Sequence, residues 1–320
     1  MRKASGKVRI TGQLIDAATG AHIWADRFER DLTDVFALQD EVTLAVVSVI
    51  RPKLLQTEIA MAARQRPDNL SAYDYYLRVI EQFSLATREG LAEALRFARH
   101  ALQLDPRYGL VAALAGGCHM VNFTMGYTVD TQFEQTEAIR LVRLALSIDD
   151  GDPDILAWAA IVSAFTVGES ESEIEMADRA VTLNPNSFHA WNCRGWVYRI
   201  AGRLDEAVQS FERATRVSPF DPWLQYSFAG IAHALIELRR FEEAIAAARK
   251  VQRLHSSHPG AYRCLASALA HLGRDAEARQ AATRMLVVDP TFTISSWIAR
   301  GGQSTTKLVI DGLRKAGLPE

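Results

Sequence analysis

Ala190-Trp-Asn-Cys-Arg-Gly195-Trp-Val-Tyr198, followed by Gly202-Arg-Leu204-Asp-Glu-Ala207, Phe211, Ala214 and Pro219, is the stretch that decides the fold. Two periodic apolar runs of helical length flank a glycine-led turn, and a proline closes the unit. Small residues at Gly195, Ala207 and Ala214 let two helices approach closely, while Trp191, Tyr198 and Phe211 fill the space between them. The spacing recurs. Pro185 and Pro219, Ala180 and Ala214, and Ala244 and Ala278 are each 34 residues apart. A fixed period of this length marks stacked helical hairpins, none of which can bury its apolar face alone.

Phasing outward gives units at 154–187, 188–221, 225–258 and 259–292, with Pro222-Trp-Leu224 as an insertion that the period does not absorb. Upstream, Tyr75 to Phe83 with Ala94, Ala98, Ala101 and Pro106 form a looser unit. Ala138, Val142 and Ala145 mark another, whose hairpin loop, Met125 to Gln135, reads as about eleven residues longer than in its neighbours. The tail from Ser304 to Gly317 has an N-cap serine, an apolar face and a terminal glycine, so it reads as a helix covering the last unit.

Position by position, the 190–219 stretch resembles the tetratricopeptide repeat (TPR), including that family's Trp, Gly, Tyr, Ala, Phe, Ala and Pro sites. The resemblance implies a mainly α protein: an α-solenoid of about six hairpins with a capping helix, preceded by a small partial α/β segment. The expected division is a β-hairpin and helix over 1–64, a linker at 65–70, the array at 71–292 and the cap at 293–320. In the first segment, Val8, Ile10 and Leu14 alternate with period two, a turn follows at Ala17 to Gly20, and a second strand runs from His22. A helix is expected from Thr33, with Phe36, Val42, Val46 and Val49 on its buried side. The string from Gln13 to Phe28, with Phe36 to Glu41, is similar to the end of a TolB-like domain. Such a domain precedes TPR arrays in bacterial class III adenylate-cyclase-like proteins and winged-helix regulators, whose chain ends the 312–320 segment also resembles. The earlier part of that domain, and any cyclase or DNA-binding unit, has no counterpart here.

The chain has 320 residues, 48% hydrophobic and 23% charged, with Lys+Arg 36 against Asp+Glu 38. That balance gives no basic field for nucleic acid, and no apolar run approaches the ~18 residues of a membrane span. With no signal-peptide pattern and three widely spaced cysteines, the expected compartment is cytoplasmic. A class III cyclase needs metal-binding aspartates on an αβ domain, for which the repeats leave no room, so no catalytic residue, metal or cofactor is expected. Gly301 to Lys307 lacks the order of a phosphate loop. Asp149 to Asp154 lacks the closing glutamate of a calcium loop, and His255-Ser-Ser-His258 sits at a turn without further ligands. Cys193 and Cys264 share one repeat position, which indicates packing rather than redox chemistry.

By analogy with the family, the first helix of each hairpin lines a concave surface. The inward positions are Trp158, Val162 and Phe165; His189, Asn192, Trp196 and Arg199; Tyr226 and His233; Arg263 and Ser267. Trp158, Phe165, His189, Asn192, Trp196, Arg199, Tyr226, His233 and Arg263 are the candidate partner-binding residues. Either these aromatics stand open as a peptide groove, or neighbouring helices or the long loop cover several of them. The Lys/Asn pattern of TPRs that clamp a C-terminal carboxylate is absent at the matching positions. The expected function is a protein-interaction scaffold within a signalling protein. The alternatives are the non-catalytic C-terminal part of a cyclase-like enzyme or an envelope assembly factor. The cut-off N-terminal hairpin is a candidate for self-association.

Overall fold

Helical hairpins stacked side by side run from residue 72 to residue 288. In the computed structural model α1 (Ala72–Ser84) pairs with α2 (Arg88–Leu104), α3 (Gly109–Met125) with α4 (Thr131–Ile148), and α5 (Pro153–Thr166) with α6 (Glu171–Leu183). Then α7 (Phe188–Ile200) pairs with α8 (Leu204–Val217), α9 (Leu224–Glu237) with α10 (Phe241–Leu254), and α11 (Pro259–His271) with α12 (Asp275–Val288). Two short helices, α13 (Ile294–Ala299) and α14 (Lys307–Lys315), follow. The structure describes residues 2–4, 7–15, 20, 22–31, 50, 55–59, 70–168, 171–300 and 307–320.

Sequence chemistry sorts the helices into two layers. The second helices α2, α8 and α10 are buried along one stripe, at Ala94, Ala98 and Ala101 in α2 for example, with charge on the far side. The first helices α3 and α5 are apolar nearly all round, and such a helix is stable only when covered on every side. They form the inner layer. Residue 34 periodicity extends to the backbone. Gly168, Gly202 and Gly273 all have positive φ in their hairpin turns, and Arg239 takes the same left-handed conformation (φ 60) at the corresponding turn. The step from 202 to 239 is three residues over the period, which places the Pro222–Leu224 insertion in the structure as in the sequence.

One expectation fails. The turn between α3 and α4 is only 126–130, because both helices extend through what reads as loop. Gly126 (φ 75) ends α3, and Asp130 caps α4 by accepting from Phe133 N. The missing residues are helix. Trp191 also departs from its expected core position. It is only half-buried, and its indole N–H donates to Pro185 O at 2.8 Å across the inter-repeat turn.

At the N-terminus, β1 (Arg2–Ala4), β2 (Lys7–Ile15) and β3 (His22–Asp31) form an antiparallel sheet in that order, one short strand more than the expected hairpin. Val8 and Phe28 are buried on one face, and Arg9 pairs with Glu29 at 2.6 Å on the other. The face read as exposed is therefore partly covered. Of the expected helix after Thr33, residues 50 and 55–59 are helical; the remainder, the linker at 65–69, the 17–19 turn, and 301–306 with Ser304 lie outside the described residues. At the C-terminus, α14 closes with Gly317 N–H to Arg314 O and Leu318 N–H to Leu313 O. Leu313 and Leu318 are both buried, which completes a Schellman stop. Helix α14 seats against α11, where His271 Nε2 donates to Leu308 O at 2.7 Å.

The stack curves until its first hairpin touches the turn between its fifth and sixth. His255 Nε2, in the turn after α10, donates to Leu85 O after α1 at 3.0 Å, across 170 residues of sequence. Phe83 reaches Trp223 at 5.1 Å between ring centroids. Close approach of the helices makes this curvature. The ring of Phe211 on α8 lies against Gly195 of α7 and Gly230 of α9, where an added Cβ would sit 2.6 and 2.2 Å from it. Gly117 of α3 faces Trp158 of α5 in the same way, at 2.3 Å.

Gly230→Ala is therefore expected to destabilise the chain by about 1–3 kcal/mol through overpacking. Adding Phe211→Leu should recover part of that loss, giving a coupling in a denaturation double-mutant cycle. Additive effects of the two changes would contradict this packing.

Candidate functional site

The curve forms a partly open cavity of about 110 Å³ on its inner face, built almost wholly from first helices. All nine candidate residues line it: Trp158 and Phe165 from α5; His189, Asn192, Trp196 and Arg199 from α7; Tyr226 and His233 from α9; and Arg263 from α11. Of the two other positions read as inward, Val162 is in the core and Ser267 lies under α14, where it donates to Leu308 O at 3.3 Å.

Neighbours cover most of this surface, as the second of the two sequence readings has it. Trp158, His189, Asn192, Arg199, His233 and Arg263 are buried, and Phe165, Trp196 and Tyr226 are half-buried. Trp158 packs on His189 at 4.4 Å and edge-on to Phe83 at 5.6 Å. Trp196 stands between Phe165 (5.7 Å) and Phe211 (5.5 Å), so it belongs to the core and to the cavity at once. Asn192 is held by Ser227 Oγ, which donates to Oδ1 at 2.8 Å and ties α7 to α9.

Ten further lining residues lay outside the inward set, four of them aromatic or cationic. Phe83 comes from the far end of the stack, Trp297 and Arg300 from α13 and its C-cap, and Trp223 from the insertion. The insertion itself was the legible signal for Trp223. For α13 the signal was Thr293 and Ser296, which form a capping box.

The polar groups of the cavity are cationic or neutral. The Arg199 guanidinium lies 5.0 Å from the Trp196 ring, and Arg263 lies 5.1 Å from Trp297 and 6.0 Å from Phe292. Burial pushes both arginines down to about 10, so both remain charged near neutrality. Burial, then Arg199, Arg263 and His258, push His233 well below the ordinary histidine value. Glu237 and Asp289 face this charge but are engaged elsewhere. Glu237 accepts the Leu308 and Val309 N–H groups, and Asp289 accepts from Thr291. Arg263 Nε, His233 Nδ1, Tyr226 Oη and Trp223 Nε1 are buried without a hydrogen-bond partner among the described residues.

The motifs weighed for chemistry have structural employment. Asp152 caps α5 by accepting from Asp154 N and Ile155 N. Cys193 and Cys264 are fully buried, and burial raises both thiols, Cys264 to about 12. Among the described residues no cluster of three or more potential ligands could hold a metal, and no helix is long and apolar enough to cross a membrane.

With this geometry in place, comparison with known proteins gives the class. Tetratricopeptide-repeat patterns match residues 188–221 and 230–291, and the protein prenyltransferase alpha subunit repeat matches 170–201. A chain of the crystal structure of the APC/C hetero-tetramer Cut9–Hcn1 superposes with a TM-score of 0.56 at 15% identity, covering 87% of this chain and 48% of that one. The chain carries TPR repeats in a TPR-type solenoid. Over 153 residues it is 31% identical to Putative adenylate cyclase 3 of Rhizobium meliloti (strain 1021), which is 48% of this chain and 26% of that protein. It resembles a part of a cyclase-like protein and spans about a quarter of that relative's length.

The buried histidines make the array sensitive to acid. His258 caps α11, its Nδ1 accepting from Gly260 N at 3.1 Å, and burial with Arg263 and His255 pushes it down to about 3. Its folded pKa lies below the unfolded value of about 6.5, so the unfolded chain takes the proton first. Stability is full above about pH 6.5 and falls toward pH 3, by about 1.4 kcal/mol per pH unit per such histidine. His258→Asn keeps a capping acceptor and removes this titration, so its melting temperature is expected to fall less steeply between pH 6.5 and 4.5. An unchanged pH profile would assign the acid sensitivity elsewhere.

Proposed function

We propose that this array is a protein-interaction scaffold, the regulatory part of a signalling protein, and that a protein or peptide partner engages its inner face. The observation that carries the reading is the convergence of nine inward residues from four consecutive hairpins on one site. Half-buried Trp196, Tyr226 and Phe165 at that site are the aromatic anchors on which interface energy concentrates. In this reading the nine residues are the partner-binding set, and the protein acts in the cytoplasm without catalysis of its own. Residues 1–64 are the end of a TolB-like unit, 65–70 a linker, 71–292 the array and 293–320 its cap. Among the described residues β3 is an edge strand, and self-association through the sheet is a further contact in this reading.

A second reading is favoured by the match to the cyclase-like relative: the chain corresponds to the non-catalytic C-terminal part of such an enzyme. A continuous reading frame upstream that encodes a catalytic or winged-helix unit would select it over a free-standing scaffold.

Phe165→Ala is the variant of choice for partner capture, because Phe165 is half-buried at the site and Trp196 also supports the core. In a pull-down with a partner identified by crosslinking to the wild-type chain, Phe165→Ala and Tyr226→Ala should each weaken capture about tenfold or more. Their melting temperatures should stay close to wild type. Undiminished capture by both variants would move the interface off the inner face.

A further inference from the structure

The cationic side of the cavity points to a ligand of its own. Arg263 is 6% exposed, lines the cavity, and has neither an ion pair nor a hydrogen bond among the described residues. Its guanidinium rests on Trp297 and Phe292, which stabilise a cation but cannot neutralise it. A buried charge left without a direct ion pair or hydrogen bond is costly, and a bound anion would lower that cost. The half-buried Arg300 lines the same space, with Nε and Nη2 committed to Ser296, and Arg199 adds a third positive charge. Beside them stand two further buried polar atoms without partners, Tyr226 Oη and His233 Nδ1.

We propose that this cavity is a binding site for a small organic acid: a planar carboxylate on Arg263, carried on an apolar or aromatic body. The forked donors of a guanidinium match a carboxylate in two parallel hydrogen bonds. The remaining walls, including Trp158, Phe83, Met120 and Trp223, are apolar and aromatic and suit a single ring. They suit a free, heavily hydrated phosphate poorly. A volume of about 110 Å³ holds a ring with a short acid tail. The site joins first helices from both ends of the closed curve, so its occupant stabilises closure and gives the scaffold a chemical input. This inference stands on the unpartnered cation, not on partner capture, and survives if the partner reading fails.

Four of the tryptophans line the cavity, so intrinsic fluorescence of the full chain reads its occupancy. Phenylacetate should give a saturable change, with phenylacetamide and inorganic phosphate each at least tenfold weaker. Arg263→Gln and the volume-keeping Arg263→Met should lose at least tenfold in phenylacetate affinity and abolish the rise in melting temperature that phenylacetate gives the wild type. Without ligand, their melting temperatures should match or exceed wild type, because a buried charge without a direct ion pair is gone. The proposal is overturned by no response to millimolar phenylacetate, by equal binding of acid and amide, by phosphate binding as well as phenylacetate, or by wild-type affinity in either variant. Should both variants fail to fold, the acid–amide contrast in the wild-type chain decides.

Discussion

A phenylalanine ring can lie flat between two helices only if both helices lack a side chain where it lands. Phe211 meets that condition at Gly195 and Gly230, and Trp158 lies against a single such position, Gly117. These contacts set how near successive first helices come, and so how tightly the stack bends. At the observed spacing, the turn after α10 reaches the end of α1, and what would be a concave groove becomes a chamber.

Closure changes the physics of the surface it encloses. On an open face, Arg199, Arg263 and the histidines would be solvated and their charges cheap. Inside the chamber, the arginines sit against tryptophan faces, and His233 is driven neutral by burial and by the cations around it. The chamber is therefore positively charged over the whole physiological range, set by arginine rather than by any group that titrates there. Its histidines act on stability instead, through the acid sensitivity of buried neutral imidazoles.

Much of this was legible in the sequence, and the remainder for identifiable reasons was not. The 34-residue period placed the hairpins from residue 153 onward almost to the residue, because each turn repeats one left-handed position and each helix repeats its small residues. Analogy with the TPR family named eleven inward positions, of which nine line one cavity, whereas Val162 is in the core and Ser267 lies under α14. Closure was not legible. It accumulates from small rotations at every hairpin interface, and no single residue encodes it. Phe83 and Trp297, which enter the chamber from outside the four regular repeats, were missed for that reason. The 125–135 stretch reads as loop because Gly126 interrupts it, although Asp130 starts a helix directly afterwards. Trp191 reads as core by its repeat position; it is half-buried, packed against the cluster of Phe188, Ala214 and Leu224, while its indole N–H bridges to Pro185 O.

The central claim is that the solenoid closes, and an intramolecular crosslink tests it most directly. Cysteines placed at Leu85 and Ser256 flank the contact between Leu85 O and His255 Nε2, and the native cysteines are buried out of reach. With a short bis-maleimide, the closed chain should crosslink within itself rapidly, and the yield should not depend on protein concentration. Failure to crosslink in the folded, monomeric chain, with both cysteines shown to be reactive, would mean that the array is an open arc and that the chamber does not form.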